Sequence, residues 1–145
     1  MAIPRSGSFI PPTDPVCSIQ MAYAINIELM QGYVRAHAKG ERRLGDAELD
    51  ASQAGQKIVQ FCRDANVYKV LLVLELRGRL SAVDSYELVA NSKNYGWTHE
   101  FKLAFVETNK ESIEDVRFTE TVAVNRAYAV KVFTDEEAAV DWLLQ

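Results

Sequence analysis

The sequence predicts an α/β domain on a mixed, mostly parallel five-stranded sheet flanked by about four helices, in the order β-β-α-β-α-β-α-β-α. Three observations predict it. The run Val70-Leu71-Leu72-Val73-Leu74 is apolar at every position, as suits a central parallel strand covered on both faces. Helical and strand-like patterns alternate through the rest of the chain, which requires crossover connections between parallel strands. Ahead of the first helix, two stretches around Gln31-Gly32 alternate with period two, the pattern of one antiparallel hairpin.

Residues 1–18 hold all four prolines of the chain, Pro4, Pro11, Pro12 and Pro15. Proline fixes φ and lacks an amide donor, so this stretch reads as a flexible leader that the fold does not need. Residues 19–145 read as a single domain. In the hairpin, Tyr33, Arg35 and His37 share one face, and Val34, Ala36 and Ala38 share the other, buried one. Residues 39–46 are polar, contain two glycines and read as a loop, with Asp46 as the cap of the first helix. That helix carries the stripe Ala47, Ala51, Ala54, Ile58, Phe61, Cys62 and Ala65 at helical spacing.

After the strand at residues 67–76, Arg77-Gly78-Arg79-Leu80 reads as a loop. Ser81 stands three residues before Asp84 and is placed to cap a second helix, which runs to about Tyr95 and is closed by Gly96. Residues 102–106 form another buried strand. Residues 113–126 form a helix with the stripe Thr119, Val122, Ala123 and Ala127, and residues 128–133 form the last strand. Thr134 and Glu137 make a capping box for a closing helix that buries Ala138, Ala139, Trp142 and Leu143.

Composition excludes several classes of function. The net charge of -4 gives none of the electrostatic footprint of a nucleic-acid binder. No apolar run approaches the roughly 18 residues of a membrane span, so no integral membrane segment is expected. No signal-peptide pattern opens the chain, and a cytoplasmic location is the expectation. Cys17 and Cys62 are too few for a disulfide scaffold. They read as two free thiols, with Cys62 packed as a small hydrophobe.

The order and spacing of several segments resemble the SpoIIAA-like proteins, relatives of the STAS domain and, more distantly, of CRAL-TRIO lipid-transfer domains. The segments are Val70-Leu71-Leu72-Val73-Leu74-Glu75 with Gly78, then Leu80-Ser81-Ala82-Val83-Asp84-Ser85-Tyr86-Glu87-Leu88. They continue with Lys102-Leu103-Ala104-Phe105-Val106 and Phe118-Thr119-Glu120-Thr121-Val122-Ala123, and close on Val130-Lys131-Val132-Phe133-Thr134-Asp135-Glu136-Glu137-Ala138 and Asp141-Trp142-Leu143. The resemblance covers residues 20–144. It implies the fold and leaves two functions open, a regulatory protein-interaction module and a lipid carrier.

In anti-sigma antagonists of this kind, an Asp-Ser pair stands where a strand gives way to a helix, and the serine is phosphorylated. The resemblance thus makes Ser85, with Asp84, a candidate phospho-acceptor, although Tyr86-Glu87 follow where the antagonist pattern has a serine and a glycine. The alternative is that Ser81 caps the helix while Asp84 and Ser85 fill its first turn. Arg77 and Arg79 flank Gly78 at the C-terminal end of the buried strand, the edge at which open α/β sheets bind ligands. They are candidates for contact with an anion or a partner, or else solvated loop charges.

His37 and His99, the two histidines, have no Cys or carboxylate at metal-ligand spacing, and His99, Glu100 and Cys62 form no recognisable nucleophile arrangement. No catalytic residue, metal site or cofactor is therefore assigned. Gly-x-Gly-x-x-Gly and P-loop motifs are absent. Tyr95, Trp97 and Phe101 either rim a partner surface or pack over the end of the sheet. The leading expectation is a non-enzymatic interaction or regulatory module, as a homodimer or a partner-switching component. The alternative is a carrier of a small apolar or lipid-like ligand, which requires a cavity between helices and sheet.

Overall fold

The computed structural model describes residues 23–43 and 45–145. The leader at residues 1–18 and Cys17 lie outside the described residues. Five strands, β1 (Tyr23–Leu29), β2 (Val34–Glu41), β3 (Lys69–Arg77), β4 (Lys102–Glu107) and β5 (Ala129–Phe133), form one sheet in sequential order. β1 pairs antiparallel with β2, and the other three pairings are parallel. The mixed, mostly parallel architecture is the one the sequence pattern requires.

Sequential strand order has a geometric consequence. Three successive crossovers of one hand place α1 (Ala47–Ala65), α2 (Ala82–Ala90) and α3 (Ile113–Asn125) on the same face of the sheet. α4 (Glu136–Leu143) follows the last strand and covers the other face. The register puts Ile25, Ala38, Leu74 and Ile27, Ala36, Leu72, Phe105 in rows beneath the three helices. On the far side Ala139 and Leu143 of α4 lie on Leu71, Ala104 and Val106, all buried.

The central strand is thus covered on both faces, but unevenly. Val70 and Leu71 are fully buried, while Leu72 and Val73 are only half-buried. Leu72 faces a cavity. Val73 pairs across the sheet with His37, beyond which that face is polar and carries Asn26, Glu28 and Lys39.

Local chemistry sets the ends of the elements. α1 closes on Asn66 in the left-handed conformation, with φ 58°, a position that tolerates asparagine. Asp46 gives α1 no side-chain cap, because its backbone (φ -119°, ψ 8°) is not in the extended region from which a cap reaches the first turn. The polar stretch after Ala38 is not all loop, since β2 continues to Glu41 beside β3.

The predicted second helix breaks after Ala90. Ser92 Oγ donates to the carbonyl of Val89 at 2.8 Å, and residues Ser92–Tyr95 turn as a 3₁₀ helix closed by Gly96 at φ 98°. Asn and Ser compete in this way with the continuing helix. Ala127, expected on the α3 stripe, is exposed with φ 67°, because the helix has already ended at Asn125. The cap of α4 is Asp135 rather than Thr134, its carboxylate accepting from the Ala138 amide at 2.9 Å, which leaves Ala138 on the exposed side. Among the described residues no helix is long and apolar enough to cross a membrane.

Candidate functional site

α2 is the shorter middle member of the helical layer. It packs on α1 and α3 and bridges them above the sheet. Polar ties fix it at both ends. Ser81 Oγ accepts from the Asp84 amide at 3.0 Å, and Asn91 Nδ2 donates to Glu48 of α1 at 3.0 Å. Arg79 and the Leu80 amide both bind Asp115 of α3.

Beneath this bridge lies a cavity of about 180 Å³. Leu72, Leu74, Leu103 and Phe105 form its floor, and Leu80, Leu88 and Val89 its roof. α1 contributes Ala51, Ala54, Gly55 and Ile58 to one wall, and α3 contributes Val116, Thr119 and Ala123 to the other. Small side chains on α1 hold the helix close while leaving space beyond it. A Cβ at Gly55 would stand 2.8 Å from Nε1 of Trp97, so glycine is what allows the indole to lie against α1. Trp97 in turn meets Phe101 edge-on, with centroids 4.9 Å apart. The aromatic cluster at residues 95–101 therefore lines the cavity as well as covering the end of the sheet.

Among the described residues, one charged side chain reaches this cavity. Arg42, the residue after β2, lines it with a side chain only 7% exposed. Its guanidinium donates to the Gly78 carbonyl at 3.1 Å and to Glu107 Oε1 at 3.3 Å. Glu107 ends β4 and is fully buried; it also accepts from Ser112 Oγ and from the Asn109 amide, at 3.2 and 3.1 Å. These residues lie at the ends of β2, β3 and β4 and in the loops that follow them, at the C-terminal edge of the parallel strands, the edge that suits a ligand. Tyr23 lies nearby, its phenol pushed up to about 12 by burial and by the Asp50 carboxylate.

The candidates from sequence are placed apart. Ser85 is fully buried, its amide bonded to the Ser81 carbonyl, and its hydroxyl has no hydrogen-bond partner among the described residues. In this conformation a modifying enzyme has no access to it; Ser81 supplies the cap, and Asp84 and Ser85 fill the first turn. Arg77 is exposed and pairs loosely with Glu41 at 3.6 Å. Arg79 is occupied by Asp115, at 2.7 and 3.0 Å, and this pairing holds the Asp115 carboxyl below its usual range. The two arginines do not converge on one anion site.

His37 bonds Glu75 at 2.9 Å on the polar sheet face, and His99 stacks on Tyr128 with centroids 4.4 Å apart. Cys62 is fully buried, and burial pushes its thiol up to about 11, as a packed hydrophobe rather than a nucleophile requires. Among the described residues no three His, Cys, Asp or Glu side chains cluster as a metal site needs.

Arg42 and Glu107 escape sequence reasoning because they meet across 65 positions of chain. The one local signal is a carboxylate directly after a buried parallel strand, at the edge where polar side chains turn toward a site. No family model matches the chain, and no curated protein matches it in sequence.

Proposed function

We propose that this protein is a non-enzymatic carrier or sensor of a small apolar ligand, held between α2 and the sheet. The observation that supports the reading is the cavity of about 180 Å³, walled by Leu, Ile, Val, Ala and aromatic side chains. Protein interiors are close-packed and hold few spaces larger than a water molecule, so an apolar space of this size stands out as one a ligand could fill. An apolar cavity of about 150 Å³ is known to stay dry and to take up benzene. The distant CRAL-TRIO resemblance points the same way.

The test is a titration of the full chain with toluene, followed by methyl NMR. Shifts are expected at Leu72, Leu88, Leu103 and Val116, together with a rise in melting temperature as ligand binds the native state alone. Unchanged methyl spectra at saturating toluene sink the proposal.

A second reading, the SpoIIAA-like interaction module, is supported by a different feature. Val83 and Tyr86 of α2 and Phe118 and Val124 of α3 are exposed, with Val83 at 70%. Exposed apolar side chains on neighbouring helices suit a partner or a second copy of the chain. Sedimentation of the wild type against Val83→Glu tests it: self-association that is lost in the variant supports the module, and a monomer at all concentrations removes the homodimer form.

A further inference from the structure

We infer that the cavity selects an uncharged single-ring compound bearing one hydrogen-bond acceptor, such as an aromatic ketone, with the acceptor directed at Arg42. The inference rests on the carrier reading above and adds size, charge and orientation to it.

Size comes from the volume. About 180 Å³ is slightly more than the 150 Å³ that accommodates benzene, so one substituted ring fits. Shape preference comes from the walls. Tyr23, Tyr95, Trp97, Phe101, Phe105 and Tyr128 all line the space. Aromatic side chains take a ring edge-to-face or offset, with centroids about 4.5–7 Å apart, and gain beyond simple burial. A flexible chain of equal carbon number finds less of this and loses more conformational freedom.

Charge is decided at Arg42. Among the described residues Arg42 is the one charged side chain lining the cavity, and its charge is already matched by buried Glu107. Ser112 and the Asn109 amide complete the carboxylate's hydrogen bonds. A ligand carboxylate would compete with Glu107 for a guanidinium whose charge is already matched, and a ligand ammonium would face that guanidinium. Neither regains its lost hydration.

A neutral acceptor meets neither obstacle. The guanidinium has five N–H groups, and its bonds to Gly78 and Glu107 use two. Tyr23, whose phenol carries its proton at neutral pH, lines the same cavity and adds a second donor. An uncharged carbonyl therefore gains a hydrogen bond without disturbing the ion pair.

The experiment is calorimetric titration of the full chain with four probes: acetophenone, ethylbenzene, benzoate and octan-2-one. Acetophenone is expected to bind tightest. Ethylbenzene, the same shape without the acceptor, should bind about 3- to 10-fold more weakly, the worth of one net hydrogen bond. Benzoate and octan-2-one should be at least tenfold weaker. Benzoate or octan-2-one binding as tightly as acetophenone overturns the inference but leaves the carrier reading intact. Equal binding of ethylbenzene and acetophenone removes the role of Arg42. Failure of all four probes, ethylbenzene included, removes the carrier reading as well. Arg42→Lys keeps a charge opposite Glu107 and should erase the preference for acetophenone over ethylbenzene; a preference that survives in a folded variant overturns the assignment of Arg42.

Discussion

Arg79 clasps Asp115 through two parallel hydrogen bonds, 2.7 Å from Nε and 3.0 Å from the second terminal nitrogen, and so ties the approach to α2 onto the first turn of α3. The same carboxylate accepts from the Leu80 amide at 3.0 Å. The side chains differ in exposure, 64% for Arg79 and 12% for Asp115, and removing one is not equivalent to removing the other.

Arg79→Ala leaves Asp115 with the Leu80 amide and with water, and should cost little, as exposed ion pairs do. Asp115→Ala removes the acceptor for a part-buried backbone amide as well, and should cost about 1–3 kcal/mol. Urea denaturation of the two variants measures the difference; equal losses would show that the Leu80 bond contributes nothing.

The same pair sets a pH dependence. Asp115 is held below its usual carboxyl range chiefly by the Arg79 hydrogen bond, and Glu136 likewise by Arg35, at 2.8 and 3.1 Å. A carboxyl whose folded pKa is depressed contributes stability above its unfolded value, near 4, and loses it as pH falls through the folded pKa. Stability should therefore decline below about pH 4. Asp115→Asn should flatten that decline while lowering stability at neutral pH. A denaturation series from pH 2 to 7 reads both effects.

Packing under α4 predicts a contrast within the central strand. Leu71 is fully buried against Ala139 and Leu143, whereas Val73 is half-buried at the margin of the α4 footprint. Leu71→Ala should cost about 2–5 kcal/mol by loss of transfer energy and creation of a cavity. Val73→Ala should cost clearly less, because water and the polar face already adjoin it. Equal midpoint shifts for the two would contradict the described coverage.

These contrasts mark what the sequence made legible. Val70 to Leu74 revealed a strand covered on both faces, since an unbroken apolar run has no exposed side to offer. Ser81 revealed its cap because the bond it makes is local, three residues long. The cavity left no such trace. Leu72, Leu88 and Val116 are ordinary core residues by pattern, and only the standing of α2 on α1 and α3 turns them into walls. The Arg42–Glu107 pair is hidden for the same reason, being a tertiary meeting of the residue after β2 with the last residue of β4. The exposed guanidiniums of Arg77 and Arg79 stand out instead, because a charge beside glycine is visible in one dimension while Asp115, the partner of Arg79, is not.

Gly96 supports the cavity from outside it. A Cβ at this position would stand 2.7 Å from Cγ1 of Val59, and its φ of 98° already disfavours any other residue. Gly45 has a similar φ, 88°, with open space around it. Gly96→Ala suffers both strain and clash and should cost well over the roughly 1 kcal/mol expected of Gly45→Ala from strain alone. Thermal melts of the two variants test the separation.

Ser85 offers the sharpest test of the helix it stands in. Its place after Asp84 resembles a phospho-acceptor, and on that ground Ser85→Asp would leave the fold intact. In the structure the side chain is fully buried, with no hydrogen-bond partner for its hydroxyl among the described residues. An aspartate there would carry a charge into the protein interior without a partner, so Ser85→Asp should destabilise strongly, by about 3 kcal/mol or more. Ser85→Ala removes an unsatisfied hydroxyl and should be neutral or slightly stabilising. Ser81→Ala, four residues earlier in the chain, deletes the cap and should cost about 1 kcal/mol. Chemical denaturation of the three variants orders them. If Ser85→Asp melts like the wild type, the helix opens readily enough for Ser85 to reach solvent, and a kinase could then reach it too. If it unfolds while Ser85→Ala does not, the serine is an interior residue of α2, and regulation must act elsewhere on the molecule.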